Sequence, residues 1–125
     1  MRILLTEDDD SVRAFVSRAL ELDGHSVETA CDGLDAMDRL LANDGEFDLL
    51  VSDVKMPLMD GIDLAHSAAR KWPGLPILLM TGFADQRERA DDLQKVIRDV
   101  LTKPFTLQEI RTAVSVAGAE KQQVA

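Results

Sequence analysis

The chain has 125 residues, 46% of them apolar and 30% charged, with a formal net charge of −9 at pH 7. That length suits one domain with a proper core, and the acidic balance argues against nucleic acid or an anionic membrane surface as a direct partner. A single cysteine, Cys31, rules out an internal disulfide, and no run approaches the ~20 apolar residues of a membrane span or the apolar region of a signal peptide. A cytoplasmic protein is expected.

In chain order, "ILLT" reads as a strand that runs straight into Glu7, Asp8, Asp9 and Asp10. Val12, Phe15, Val16, Ala19 and Leu20 then repeat at helical spacing, with Asp9 or Asp10 as N-cap and Gly24 as the stop. "HSVETA" is a half-polar strand suited to a sheet edge. Leu34, Met37, Leu40 and Leu41 mark a second helix, and "FDLLVSD" is a strand apolar on both faces. Pro57 and Gly61 punctuate a turn in "MPLMDG", with Asp60 as the cap of the helix that follows. That third helix is defined by Ile62, Ala65, Ala68, Ala69 and Trp72. "PILLMT" is a buried strand, "DQRERADDLQKV" a charged and weakly amphipathic helix, and "VIRDVLTK" a fifth strand. Leu107, Ile110 and Val114 mark the last helix, and residues 118–125 read as a flexible tail.

Five strands alternating with five helices imply an α/β fold with a parallel sheet covered on both faces. The expected architecture is a flavodoxin-like (βα)5 three-layer sandwich over residues 1–117, with strand order 2-1-3-4-5. In such a sheet the working site lies at the carboxyl ends of the strands. The first strand delivers Glu7 and Asp8 there, the third Asp53, the fourth Thr81 and the fifth Lys103.

Three carboxylates within ~5 Å repel by roughly 3 kcal/mol per pair at an effective dielectric near 20. Either the acids stay protonated or a cation sits among them. Hard oxygen ligands suit Mg²⁺, which tends to bind beside a phosphate, with Mn²⁺ as an alternative. A metal, the Lys103 ammonium and the Thr81 hydroxyl around Asp53 would stabilise a phosphoryl group on that carboxylate.

These motifs, the acidic pair in "TEDDDSVR", the aspartate in "LLVSDVKMPLMDG", the hydroxyl in "LLMTG" and "TKPF", resemble the receiver domain of two-component response regulators across residues 2 to 117. The resemblance implies that Asp53 accepts a phosphoryl group from a histidine kinase or histidine phosphotransferase. It implies that Asp8, assisted by Glu7 through water, binds Mg²⁺ with Asp53 and the backbone carbonyl of Lys55. Thr81 and Lys103 would contact the phosphoryl oxygens, and the Lys103–Pro104 bond would be cis. Such a protein is a regulator rather than an enzyme, with self-catalysed phosphorylation and dephosphorylation at most, and acts as a monomer or weak dimer.

The sequence departs from the family at Val100, where many receivers carry a Tyr or Phe that swings inward. Valine is stiff at χ1 and has no ring, so Phe83 is the candidate substitute in the switch. With no effector domain read after the last helix, the output is expected to be a protein-binding surface. "TGFA" and Val100 resemble single-domain receivers of the CpdR type, adaptors for a AAA+ protease; a phosphorelay or motor-binding receiver is the alternative. A haloacid-dehalogenase-like phosphohydrolase would want an acid where Lys55 stands. A flavodoxin-like carrier would want a phosphate-binding loop where four acids stand.

Overall fold

The structure is a computed structural model in which residues 1–82 and 97–124 are described. Strands β1 (Arg2–Thr6), β2 (Ser26–Ala30), β3 (Leu49–Asp53), β4 (Ile77–Thr81) and β5 (Asp99–Thr102) form one parallel sheet in the order β2-β1-β3-β4-β5. The described helices are α1 (Asp10–Leu22), α2 (Gly33–Ala42), α3 (Gly61–Lys71) and α4 (Leu107–Val124). The charged helix expected over 85–96 lies outside the described residues, as does Phe83. No described helix is long and apolar enough to cross a membrane.

Every residue of β3 and of β4 is buried, which is why these segments read as continuous apolar runs rather than alternating ones. Alternate side chains feed opposite faces. Ile3, Leu5, Val51, Leu78 and Met80 pack with Val16 and Leu20 of α1 and with Ile110 and Val114 of α4. Leu4, Leu50, Ile77 and Leu79 pack with Ala36 and Leu40 of α2 and with Ile62, Leu64 and Ala65 of α3. Each fully buried Leu or Ile contributes about 1.5–3 kcal/mol of transfer free energy. The half-polar β2 takes the edge, where only Ala30 is fully buried.

Aspartates start three of the helices. Asp9 accepts from the Val12 amide at 3.0 Å, Asp32 from Asp35 at 2.8 Å and Asp60 from Asp63 at 2.9 Å, so each cap satisfies a donor that the helix cannot. Two apolar stripes are narrower than their spacing suggests. Phe15 on α1 is 45% exposed, and Leu34 and Leu41 on α2 are 45% and 49% exposed. Val16, Ala19 and Leu20 of α1 and Ala36 and Leu40 of α2 are the apolar side chains sealed from water, and Phe15, Leu34 and Leu41 at the margins of the stripes remain partly in it.

The last helix also continues to Val124, through the segment read as a tail. Ala, Glu, Lys and Gln are good helix formers. Ala117 and Gly118 are buried within it, and a Cβ at Gly118 would stand 2.1 Å from Met1 Sδ.

Candidate metal and phosphoacceptor site

Because all five strands are parallel, their carboxyl ends share one edge of the sheet. Glu7 and Asp8 follow β1, Asp53 closes β3, Thr81 closes β4 and Lys103 follows β5. Carboxylate oxygens of Glu7, Asp8 and Asp53 all lie within 4.8 Å of one another. Glu7 is fully buried, Asp53 nearly so, and Asp8 is exposed.

Lys103 draws two of these acids together. Its Nζ lies 2.7 Å from Glu7 Oε1 and 3.2 Å from Asp53 Oδ1. The second Glu7 oxygen accepts from the Asp8 amide at 3.1 Å, and the Val54 amide donates to Asp53 Oδ1 at 3.0 Å. Asp8, Asp53, Lys55, Pro57, Gly82 and Lys103 line an open cleft of about 530 Å³.

The titration directions expose a charge imbalance. Burial, then contact with Asp53, raises the Glu7 pKa above the ordinary value despite Lys103. Burial and the neighbouring Glu7 raise Asp8. Burial pulls Lys103 down, but Glu7 and Asp53 outweigh it and leave the ammonium raised. The three carboxylates and the ammonium paired with two of them carry a formal net charge of −2. Hard oxygen donors at this spacing, two buried and one facing solvent, fit a small divalent cation that retains water ligands.

The loop between β3 and α3 is held against this edge by close backbone contacts. The Gly61 amide donates to Val54 O at 2.7 Å, and a Cβ at Gly61 would fall 2.1 Å from Asp53 O. Only glycine permits that approach. At the loop's centre Leu58 has φ +71°, and the Met59 amide donates to Pro57 O at 2.8 Å.

Thr81 is fully buried at the end of β4, and its main-chain oxygen accepts from the Lys103 amide at 2.7 Å. The Lys103–Pro104 peptide bond is cis. Val100 lies in the cluster on the α2 and α3 face. Arg13 was not anticipated from the sequence. Its Nη1 donates to the Glu7 main-chain oxygen at 2.9 Å, and its Nη2 pairs with Asp10. A cation in a helix's first turn, against the helix dipole, was the available signal.

The family profile of the response regulator receiver domain matches residues 3–115. The chain belongs to that family. It is 41% identical to the response regulator MprA of Mycobacterium avium over 110 residues, 88% of this chain and 47% of that protein. It is 40% identical to MprA of Mycobacterium bovis over the same length and shares. The chain thus spans about half the length of these curated relatives.

Among solved structures, a receiver domain protein from Clostridium thermocellum superposes with a TM-score of 0.90, covering 99% of this chain and 98% of that one at 24% identity, a likeness of fold. The chemotaxis response regulator CheY4 of Vibrio cholerae gives 0.81 at 28% identity, covering 93% and 97%. Receiver domains are regulatory phosphoacceptors of two-component systems. Histidine kinases phosphorylate them, they bind Mg²⁺ at an acidic pocket, and they act on downstream targets.

Proposed function

We propose that Asp53 is the phosphoacceptor and that Glu7, Asp8, Asp53 and the Lys55 carbonyl form the divalent-cation site. The observation that carries this reading is the convergence of three acids, two of them paired with Lys103, at the carboxyl edge of the sheet. Asp8 and Asp53 would hold the cation, with Glu7 acting through water because its oxygens are engaged by Lys103 and the Asp8 amide. When bound, Mg²⁺ offsets charge on the phosphoryl oxygens.

Val54 N–H and Lys103 both engage Asp53 Oδ1, which leaves an electron pair of Oδ2 for the phosphorus of a phosphohistidine. The new O–P bond forms as the P–N bond breaks, and the imidazole takes the electron pair and a proton. Lys103 then offsets charge on the acyl phosphate, and the Thr81 hydroxyl hydrogen-bonds a phosphoryl oxygen.

The phosphoryl group adds ~2 negative charges and three acceptor oxygens. It favours whichever conformation makes better contacts with it. Thr81, Phe83 and Val100 form the proposed switch, with the valine filling core space rather than swinging. The output is altered binding to a protein partner, with an adaptor role in regulated proteolysis as the specific reading and the cytoplasm as its site of action. The phosphodonor partner is a histidine kinase or histidine phosphotransferase, which meets the cleft of this chain in its monomeric or weakly dimeric form.

The test is mass spectrometry after acetyl phosphate treatment in Mg²⁺. One hydroxylamine-labile phosphoryl group should map to Asp53 and vanish in Asp53→Ala. Labelling that persists in Asp53→Ala, or fails in the wild type, overturns the assignment.

A further inference from the structure

Arg13 is out of place by the rules of helix electrostatics. It stands in the first turn of α1, where the positive end of the helix dipole disfavours a cation. Its guanidinium spans two acceptors, with Nη1 on the Glu7 main-chain oxygen at 2.9 Å and Nη2 paired with Asp10.

That oxygen belongs to the peptide joining Glu7 to Asp8. The opposite side of the same peptide, the Asp8 N–H, donates to Glu7 Oε2 at 3.1 Å. The Glu7 carboxylate is itself anchored to Lys103. Both polar groups of the peptide that carries Asp8 are therefore tied. A peptide plane held at its oxygen and its N–H cannot swing, so the axis on which the Asp8 side chain is mounted is fixed and its range of directions is narrowed. Asp8 is the exposed member of the acidic trio and has the most freedom to lose.

We infer that Arg13 is a positioning residue for the divalent-cation site, orienting the Asp8 carboxylate toward Asp53 through the Glu7–Asp8 peptide without touching the ion. The inference rests on the cation site proposed above. Its rival is that Arg13 only offsets nearby negative charge, and the two ideas differ in sign. Removing a bystander cation beside three acids strengthens cation binding by Coulomb's law. Removing the anchor of a ligand weakens it, as outer-sphere partners of metal ligands do by about 10–100-fold.

Calorimetric Mg²⁺ titrations of the wild type, Arg13→Gln, Arg13→Lys and Asp10→Asn decide between them, alongside hydrogen exchange of the Asp8 amide without metal. Arg13→Gln should bind Mg²⁺ about 10-fold more weakly, and its Asp8 amide should exchange faster. Arg13→Lys keeps the charge but offers a point ammonium for a planar fork, and should fall in between. Asp10→Asn spares the Arg13–Glu7 bond and loses only an exposed ion pair, so its affinity should stay within about threefold of wild type. Mg²⁺ binding by Arg13→Gln as tight as wild type or tighter, or unchanged Asp8 exchange, overturns the inference. A wild type that binds no Mg²⁺, or Asp8→Asn that binds it equally well, would instead overturn the underlying cation site.

Discussion

Replacing Lys103 by Met removes the cation that bridges the buried pair of acids while keeping most of the side-chain volume. With Nζ at 2.7 Å from Glu7 and 3.2 Å from Asp53, the Coulomb attractions are about 6 and about 5 kcal/mol at an effective dielectric of 20. Desolvation of the ammonium and both carboxylates cancels much of that. Breaking one side of a buried pair costs about 3–5 kcal/mol. Glu7 has an escape, since burial already raises its pKa and it can take up a proton. The expected loss at neutral pH is therefore near the lower end, about 3 kcal/mol.

The pH dependence follows from the same groups. Without Lys103, the folded-state pKa of Glu7 rises further above its ordinary 4.5. The folded state then holds the extra proton, and the variant gains stability as pH falls through that raised value. In the wild type, the raised Lys103 contributes stability that is fully present below 10.5 and is lost as pH rises through its folded value. Urea unfolding in metal-free buffer between about pH 8 and about pH 5 should show the gap between the two proteins narrowing toward acid. Equal stability at neutral pH, or a gap that widens in acid, would refute the buried bridge.

Asp8→Asn should stabilise the metal-free protein by about 1 kcal/mol, because it removes a solvent-facing member of a mutually repelling trio. It should also abolish the stabilisation given by Mg²⁺, about 2.7 kcal/mol at a hundredfold excess over Kd in the wild type; thermal melts with and without metal read both effects. Gly61→Ala places a methyl 2.1 Å from the Asp53 carbonyl, so it should cost about 2 kcal/mol and slow labelling by acetyl phosphate. Arg111 holds the Asp23 carboxyl below its ordinary 3.8, a contribution present above that value and lost as pH falls through the folded one. The stability gap between wild type and Arg111→Gln should therefore shrink in acid, as urea melts at neutral pH and about pH 3 will report.

Strand ends were the most legible feature of the chain. Glu7, Asp8, Asp53, Thr81 and Lys103 each follow or close an apolar run, and parallel pairing brings such termini together whatever the loops do. Asp9 and Asp60 were legible as caps because an aspartate before an apolar-periodic stretch has a local hydrogen-bonding reason to be there. Phe15, Leu34 and Leu41 were less so. Their spacing marks an apolar face, but how wide a stripe gets covered depends on neighbours that sequence spacing does not specify. Trp72 illustrates the same limit. Its ring lies against Gly45, beyond the amino end of β3 and opposite the cleft, so its emission is a poor reporter of cation binding and amide signals near Asp8 are better ones.

The sequence by itself determined the alternation of elements, the parallel sheet and the residues gathered at its edge. Periodicity and strand polarity are local properties, and one short parallel sheet has only one edge where its strands end. Tertiary structure decided which acid is sealed from water and which stays open. It set Lys103 across Glu7 and Asp53, and it turned Arg13 back onto the Glu7–Asp8 peptide. Those outcomes depend on distances of an ångström or so between segments far apart in the chain, and residue order does not encode such distances one at a time.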